Sequence, residues 1–145
     1  MTRSGAGGED QPQPTPEPPP LVAIVDDDAS VRKSTTRLIR SFGYRAEAFA
    51  SGEEFLSSPE ASRTACLVLD VRMPEMDGLE VQRQVAARQL QIPVVFISGR
   101  ASDEEERRAR SAGAIDFLRK PIATATLLQV LRKVIAIGEV HDDDA

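Results

Sequence analysis

Asp26, Asp27, Asp70, Ser98 and Lys120 are placed by type and spacing to do chemistry together. Leu21 to Val25 is an apolar run ending at Asp26 and Asp27, and Cys66 to Leu69 ends at Asp70. Residues 93–97 end at Ser98, and residues 115–118 stop just before Lys120. Read as parallel strands, these runs bring three carboxylates, a hydroxyl and an ammonium to one sheet edge. That edge is where open α/β sheets bind ligands. Adjacent carboxylates repel, and burial increases the cost. A hard divalent cation relieves it, and Mg²⁺ suits one or two carboxylates completed by water and phosphate oxygens. Asp70 then supplies a nucleophile that can form an aspartyl phosphate. The metal would neutralise and align the transferring group, and Lys120 would place a second positive charge on its oxygens. Ser98 would donate its hydroxyl once phosphate is attached. Plainer readings exist for each: acids favoured at a helix N-terminus, a surface lysine, a turn serine. Their joint placement is what selects the site.

The elements that must position these groups alternate regularly. Asp28 is placed to cap a helix reaching about Ser41, with Val31, Leu38 and Phe42 on one face and Gly43 closing it. Residues 44–49 read as a second strand, and Ser51 with Glu54 has the capping-box spacing for a short helix ending near Pro59. A helix is expected from about Gly78 to Arg88, and another from about Asp103 to Ala112-Gly113 with Glu106 in the capping-box position. That second helix carries Glu104, Glu105, Glu106, Arg107, Arg108 and Arg110 and almost nothing large and apolar. It should be weakly anchored and easy to move; the plainer alternative is a well-solvated surface helix with i,i+4 pairs such as Glu104–Arg108 and Glu106–Arg110. Leu127, Val130, Leu131, Val134 and Ile135 recur at helical spacing. Five strands alternating with five helices predict an α/β fold with a doubly wound, five-stranded parallel sheet.

Residues 21–138 suffice for one such domain, flanked by residues 1–20 and 139–145. Six of the ten prolines lie between Pro12 and Pro20, a composition expected of a disordered, Pro-rich tail. It reads as a solvated spacer, with SH3-like docking as the alternative. The net charge of −5 resides outside the domain. Residues 1–20 carry −2 and residues 139–145 carry −4, which leaves the domain near +1. No basic face for nucleic acid is apparent. The acidic tail holds His141, read as an ordinary tail residue. No apolar run is long enough for a membrane span and no secretory leader is evident. The lone Cys66 reads as a buried small hydrophobe, and a cytoplasmic setting is expected.

Several motifs together resemble the receiver domain of response regulators in two-component signalling: Val25-Asp-Asp-Asp28, Leu69-Asp-Val-Arg-Met-Pro-Glu-Met-Asp-Gly78, Phe96-Ile-Ser-Gly99, and Ala112 to Pro121 with Lys120 before the proline. The resemblance covers roughly residues 21–137. Its Arg-Met-Pro and Ser-Gly-Arg-Ala stretches are more similar to the nitrogen-fixation and nodulation regulators than to the chemotaxis receiver. It implies a flavodoxin-like (βα)5 fold with strand order 2-1-3-4-5. Asp70 becomes the phosphoacceptor, and Asp26, Asp27, Asp70 and the backbone carbonyl of Arg72 become the Mg²⁺ ligands. Ser98 matches the switch hydroxyl, Phe117 the switch aromatic, Lys120 the phosphoryl contact, and the Lys120–Pro121 bond is expected cis. Arg72 and Arg100 occupy positions that border the phosphoryl group. On phosphorylation Ser98 is expected to move toward the phosphate and Phe117 to swing inward from an exposed rotamer. That would alter the face made by the helix after Ser98, the last strand and the last helix.

Most receivers similar to this branch continue into a DNA-binding helix-turn-helix, whereas only residues 138–145 follow here. A single-domain regulator is therefore expected, one that takes phosphate from a histidine kinase and contacts a downstream protein, without binding nucleic acid or membrane. A phosphate sink or relay intermediate is the alternative role. The protein would be a monomer, or a phosphorylation-dependent homodimer through the last helix–strand–helix face. It would assist only its own phosphorylation and dephosphorylation rather than act as an enzyme. A Mg²⁺-dependent phosphohydrolase is disfavoured because such enzymes place a general-acid aspartate where Arg72 stands. A flavodoxin-type cofactor binder is disfavoured because the loop after the first strand is acidic rather than Gly- or Ser/Thr-rich.

Overall fold

The computed structural model describes the backbone of residues 18–144 and the side chains of residues 18–136. Strands β1 (Leu21–Val25), β2 (Arg45–Phe49), β3 (Cys66–Leu69), β4 (Val94–Ser98) and β5 (Asp116–Arg119) form one parallel sheet in the order β2-β1-β3-β4-β5. This is the expected doubly wound order. β5 begins and ends one residue later than its apolar run suggested, which puts Lys120 directly after it.

Five helices connect and cover the strands: α1 (Ala29–Ser41), α2 (Gly52–Ser57), α3 (Gly78–Ala87), α4 (Asp103–Ser111) and α5 (Thr124–Asp144). Successive strand residues face opposite sides of the sheet, and the core divides accordingly. Ala23, Val25, Leu67, Leu69, Val94 and Phe96 pack with residues of α2, α3 and α4. Val22, Ile24, Cys66, Val68, Val95 and Ile97 pack with Ile39 of α1 and the apolar stripe of α5. Being covered on both faces is why β1, β3 and β4 are apolar apart from Ser98 at the end of β4. The backbone of α5 continues to Asp144, so residues 139–144, read from the sequence as a tail, extend that helix. Residues 1–17, most of the expected Pro-rich tail, and the side chain of His141 lie outside the described residues.

Helix starts follow local chemistry. Asp28 accepts hydrogen bonds from the N–H groups of Ser30 and Val31. Ser51 accepts from Glu54, whose own carboxylate receives the N–H of Ala50 rather than that of Ser51. The reciprocal capping box forms at α4, but one residue earlier than expected. Ser102 and Glu105 make it, instead of Asp103 and Glu106, because the extended backbone of Ser102 turns its hydroxyl onto the Glu105 N–H.

Helix ends show one exception to the same logic. Gly43 and Gly113 follow α1 and α4 with positive φ, but the corresponding position after α3 is Gln89, at φ 59°. There Gln89 N–H donates to Ala86 and Leu90 N–H to Val85, the pair of bonds that normally closes on glycine. Gln89→Gly is expected to stabilise the fold by about 0.5–1 kcal/mol, the left-handed strain removed less the added entropy cost. A higher denaturant midpoint at unchanged m-value is the readout; an unchanged or lower midpoint contradicts it.

Cys66 is fully buried in β3, and burial pushes its thiol up to about 12. Iodoacetamide should therefore leave the folded protein unlabelled at pH 8 and label it fully in denaturant, as followed by intact mass.

Candidate phosphoryl site

Backbone bonds carry each site residue to the same edge. Asp26 N–H donates to Phe49, Asp70 N–H to Val25, and Lys120 N–H to Ser98, each extending a strand ladder by one step. β1 and β3 lie on either side of the point where strand order reverses, so Asp26, Asp27 and Asp70 converge there. These three each offer a carboxylate oxygen within 4.8 Å of the others. Asp26 is buried, Asp70 partly buried and Asp27 exposed. A cleft of about 300 Å³ is lined by Asp26, Asp27, Asp28, Asp70, Arg72, Ser98, Gly99, Arg100 and Lys120. The fold therefore brings together all five residues singled out first, and both arginines.

The charges are arranged unevenly. Asp26 Oδ1 accepts the Asp28 N–H at 2.9 Å, while its Oδ2 faces Lys120 Nζ at 3.4 Å. The same Nζ lies 4.0 Å from Asp70 Oδ2. One ammonium thus faces two carboxylates, with a third beside them. Desolvation, and then the charge of Asp26, push the Asp70 carboxyl above its usual value, against the opposing pull of Lys120 and of nearby backbone N–H groups. Hard oxygen donors in excess of the local positive charge suit a divalent cation such as Mg²⁺.

Gly78 sets the position of Asp70 from behind. Its N–H donates to Val71, and a Cβ there would lie 2.2 Å from the Asp70 carbonyl oxygen and 2.9 Å from Phe96. Only glycine lets α3 begin that close to the Asp70 backbone. The Lys120–Pro121 peptide is cis, as expected.

Two expectations are corrected. Phe117 is 5% exposed and stacks on the buried Phe96 with ring centroids 5.6 Å apart, so the structure holds the inward position rather than an exposed rotamer. The adjacent aromatic face and the apolar cluster on that side of the sheet supply the burial that favours it. On α4, Glu106 pairs with Arg110 as expected, but Glu104 pairs with Arg107 instead of Arg108. Ser98 is buried, and its Oγ accepts the Arg100 N–H at 3.4 Å.

Arg119 had no assigned role from the sequence, and Glu105 stood there only as one of several helix charges. The Arg119 guanidinium binds Glu106 and Asp103 and the carbonyl of Ala101, and it lies over the Phe117 ring. Arg72 reaches Glu105 at 2.8 Å. Only the fold reveals the polar partners, since they lie 13 to 33 residues apart in sequence. Ala109 is the one buried residue of α4, in line with its lack of large apolar side chains, and polar ties hold much of that helix.

The response regulator receiver domain model matches residues 22–132. The chain belongs to the response regulator receiver family. The receiver is 41% identical over 125 residues to the response regulator protein TmoT of Ectopseudomonas mendocina, covering 86% of this chain and 57% of that protein. It is 42% identical over 111 residues to nodulation protein W of Bradyrhizobium diazoefficiens, covering 77% and 49%. It thus spans about half the length of these curated relatives. Among solved structures it is similar to the response regulator StyR, with TM-score 0.79 at 38% identity over 87% of this chain and 64% of that one. It is also similar to FixJ-N, with TM-score 0.75 at 32% identity over 81% and 94%. It is the receiver domain of a two-component response regulator. Among the described residues, no helix is long and apolar enough to cross a membrane.

Proposed function

We propose that this receiver accepts a phosphoryl group on Asp70 from a histidine kinase in a Mg²⁺-dependent reaction and thereby switches a surface that binds another protein. The observation that carries this is the cluster itself: three carboxylates within 4.8 Å, with Lys120 Nζ 4.0 Å from Asp70 and 3.4 Å from Asp26. Asp26, Asp27 and Asp70, with the Arg72 carbonyl, would hold the Mg²⁺. When bound, the ion supplies positive charge that offsets both the carboxylates and the phosphoryl oxygens.

The protein's own groups do the rest. An Asp70 carboxylate oxygen attacks phosphorus in line as the phosphorus–nitrogen bond of phosphohistidine breaks, and the imidazole nitrogen keeps the bonding pair. Lys120 moves its ammonium from the carboxylates to the transferred oxygens, a short shift for a flexible side chain. Ser98 exchanges the weak bond from Arg100 for one it donates to the phosphoryl group. The aspartate is consumed and regenerated by hydrolysis, so the protein turns over only its own phosphate. The output face is that of α4, β5 and α5, which contacts a downstream protein or a second copy of the domain.

The test is incubation with Mg²⁺ and a small phosphodonor, followed by intact mass. One phosphoryl group per chain is expected, and none when a chelator removes the metal. Uptake unaffected by chelation would remove the metal from the proposal.

A further inference from the structure

Resting on the reading of Asp70 as phosphoacceptor, we propose that Glu105 holds the Arg72 guanidinium in reserve. A phosphoryl group on Asp70 then draws it away, releasing the first turn of α4 from the loop after β3.

Arg72 lies two residues past Asp70 and lines the same cleft. Its guanidinium nevertheless reaches across to α4, with Nη2 2.8 Å from Glu105 Oε1. That same oxygen accepts the Ser102 N–H at 2.9 Å and completes the capping box of α4. One carboxylate oxygen therefore joins the cap of α4 to the Asp70 loop. The Ser102 N–H, with Arg72 in support, holds the Glu105 carboxyl below its usual range.

The competition favours phosphate. A phosphoryl group carries about two negative charges and three acceptor oxygens, against a single charge on Glu105, one oxygen of which is already shared. A guanidinium binds such a group through parallel N–H bonds. The Arg72 side chain is half exposed, so it can turn without a repacking cost. Release has a local consequence because Ala109 is the only buried residue of α4. Arg119 still holds Ala101, Asp103 and Glu106 against β5. Arg119 also reaches the Ser102 carbonyl, though only at 3.5 Å, so loosening is confined to the Glu105 side of the first turn.

Glu105→Gln keeps an amide oxygen for the capping box, a position that accepts glutamine, but removes the charge that holds Arg72. Arg72→Gln removes the other partner. The full chain would be phosphorylated with a small donor and Mg²⁺, the donor removed, and phosphoryl loss followed by intact mass. Arg72 freed by Glu105→Gln covers the phosphoryl group and slows attack by water about two- to fivefold, the weight of a half-exposed ion pair. In the Arg72→Gln background the same substitution has no effect. In parallel, hydrogen exchange of the Ser102–Glu106 amides should quicken on phosphorylation of wild type. In Arg72→Gln it should be fast from the start and unchanged by phosphate. Equal effects of Glu105→Gln in both backgrounds, or unchanged α4 exchange in phosphorylated wild type, overturn the exchange of partners while leaving Asp70 as phosphoacceptor. A wild type that takes up no phosphoryl group overturns the phosphoacceptor reading and this proposal with it.

Discussion

Replacing Asp70 with asparagine should abolish phosphoryl uptake from a small donor and at the same time make the metal-free protein more stable. The first effect follows because an amide cannot supply the attacking oxygen of a carboxylate. The second follows from the environment of the group. Desolvation and the nearby Asp26 raise its pKa in the fold, so the charged form is disfavoured there relative to the unfolded chain. The sign of the pH dependence is then determined. Between the ordinary aspartate value and the raised one, the native state holds the proton more tightly. Stability therefore falls as pH rises through that window, and the penalty is fully present above it. Denaturation midpoints in chelator should show this decline for wild type and lack this component in Asp70→Asn. Adding Mg²⁺ reverses the ranking. At a hundred times its Kd, a ligand specific to the native state contributes about 2.7 kcal/mol, and the variant, one carboxylate short, gains less. A variant no more stable than wild type in chelator would show that the charge at Asp70 is not what strains the site.

The second large effect is expected from a methyl group. Gly78→Ala places a Cβ 2.2 Å from the Asp70 carbonyl oxygen and 2.9 Å from the buried Phe96 ring. Neither neighbour is the free end of a flexible side chain, so the start of α3 or the Asp70 loop must move. Overpacking of this kind costs about 1–3 kcal/mol, and here it also displaces the phosphoacceptor. Gly43→Ala is the control. It meets nothing within 4 Å and is strained only by its φ of 99°, at a cost of about 1–2 kcal/mol. Both variants should lower the denaturation midpoint, but only Gly78→Ala should also slow phosphoryl uptake. Uptake at the wild-type rate in Gly78→Ala would mean that Asp70 tolerates the shift.

The amino-acid order alone determined the strands, their covering helices and the five groups of the cleft. Apolar runs with no polar alternation mark strands buried on both faces, and a polar residue just past each run must fall at its carboxyl end. For Asp26, Asp27, Asp70 and Ser98 that one-dimensional rule was sufficient, whereas Lys120 follows its strand directly only because β5 runs one residue past its apolar run. Local competition decided the details at element ends. Ser102 displaced Asp103 as the cap of α4 because its hydroxyl meets the Glu105 N–H, and β5 took in Arg119 because pairing with Ser98 carries the strand one residue further.

Other features were decided only by the tertiary structure. The inward position of Phe117 depends on Phe96, a residue of the neighbouring strand brought alongside by β4–β5 pairing. The closeness of Gly78 to the Asp70 backbone depends on how α3 returns over β3. The pairing of Arg72 with Glu105 depends on the loop after β3 meeting the first turn of α4, between residues 33 apart along the chain. Periodicity and capping express forces between near neighbours in sequence and can be read along it. Long charged side chains choose partners by distance in space, and several acids of α4 were equally eligible until the fold set Glu105 against Arg72.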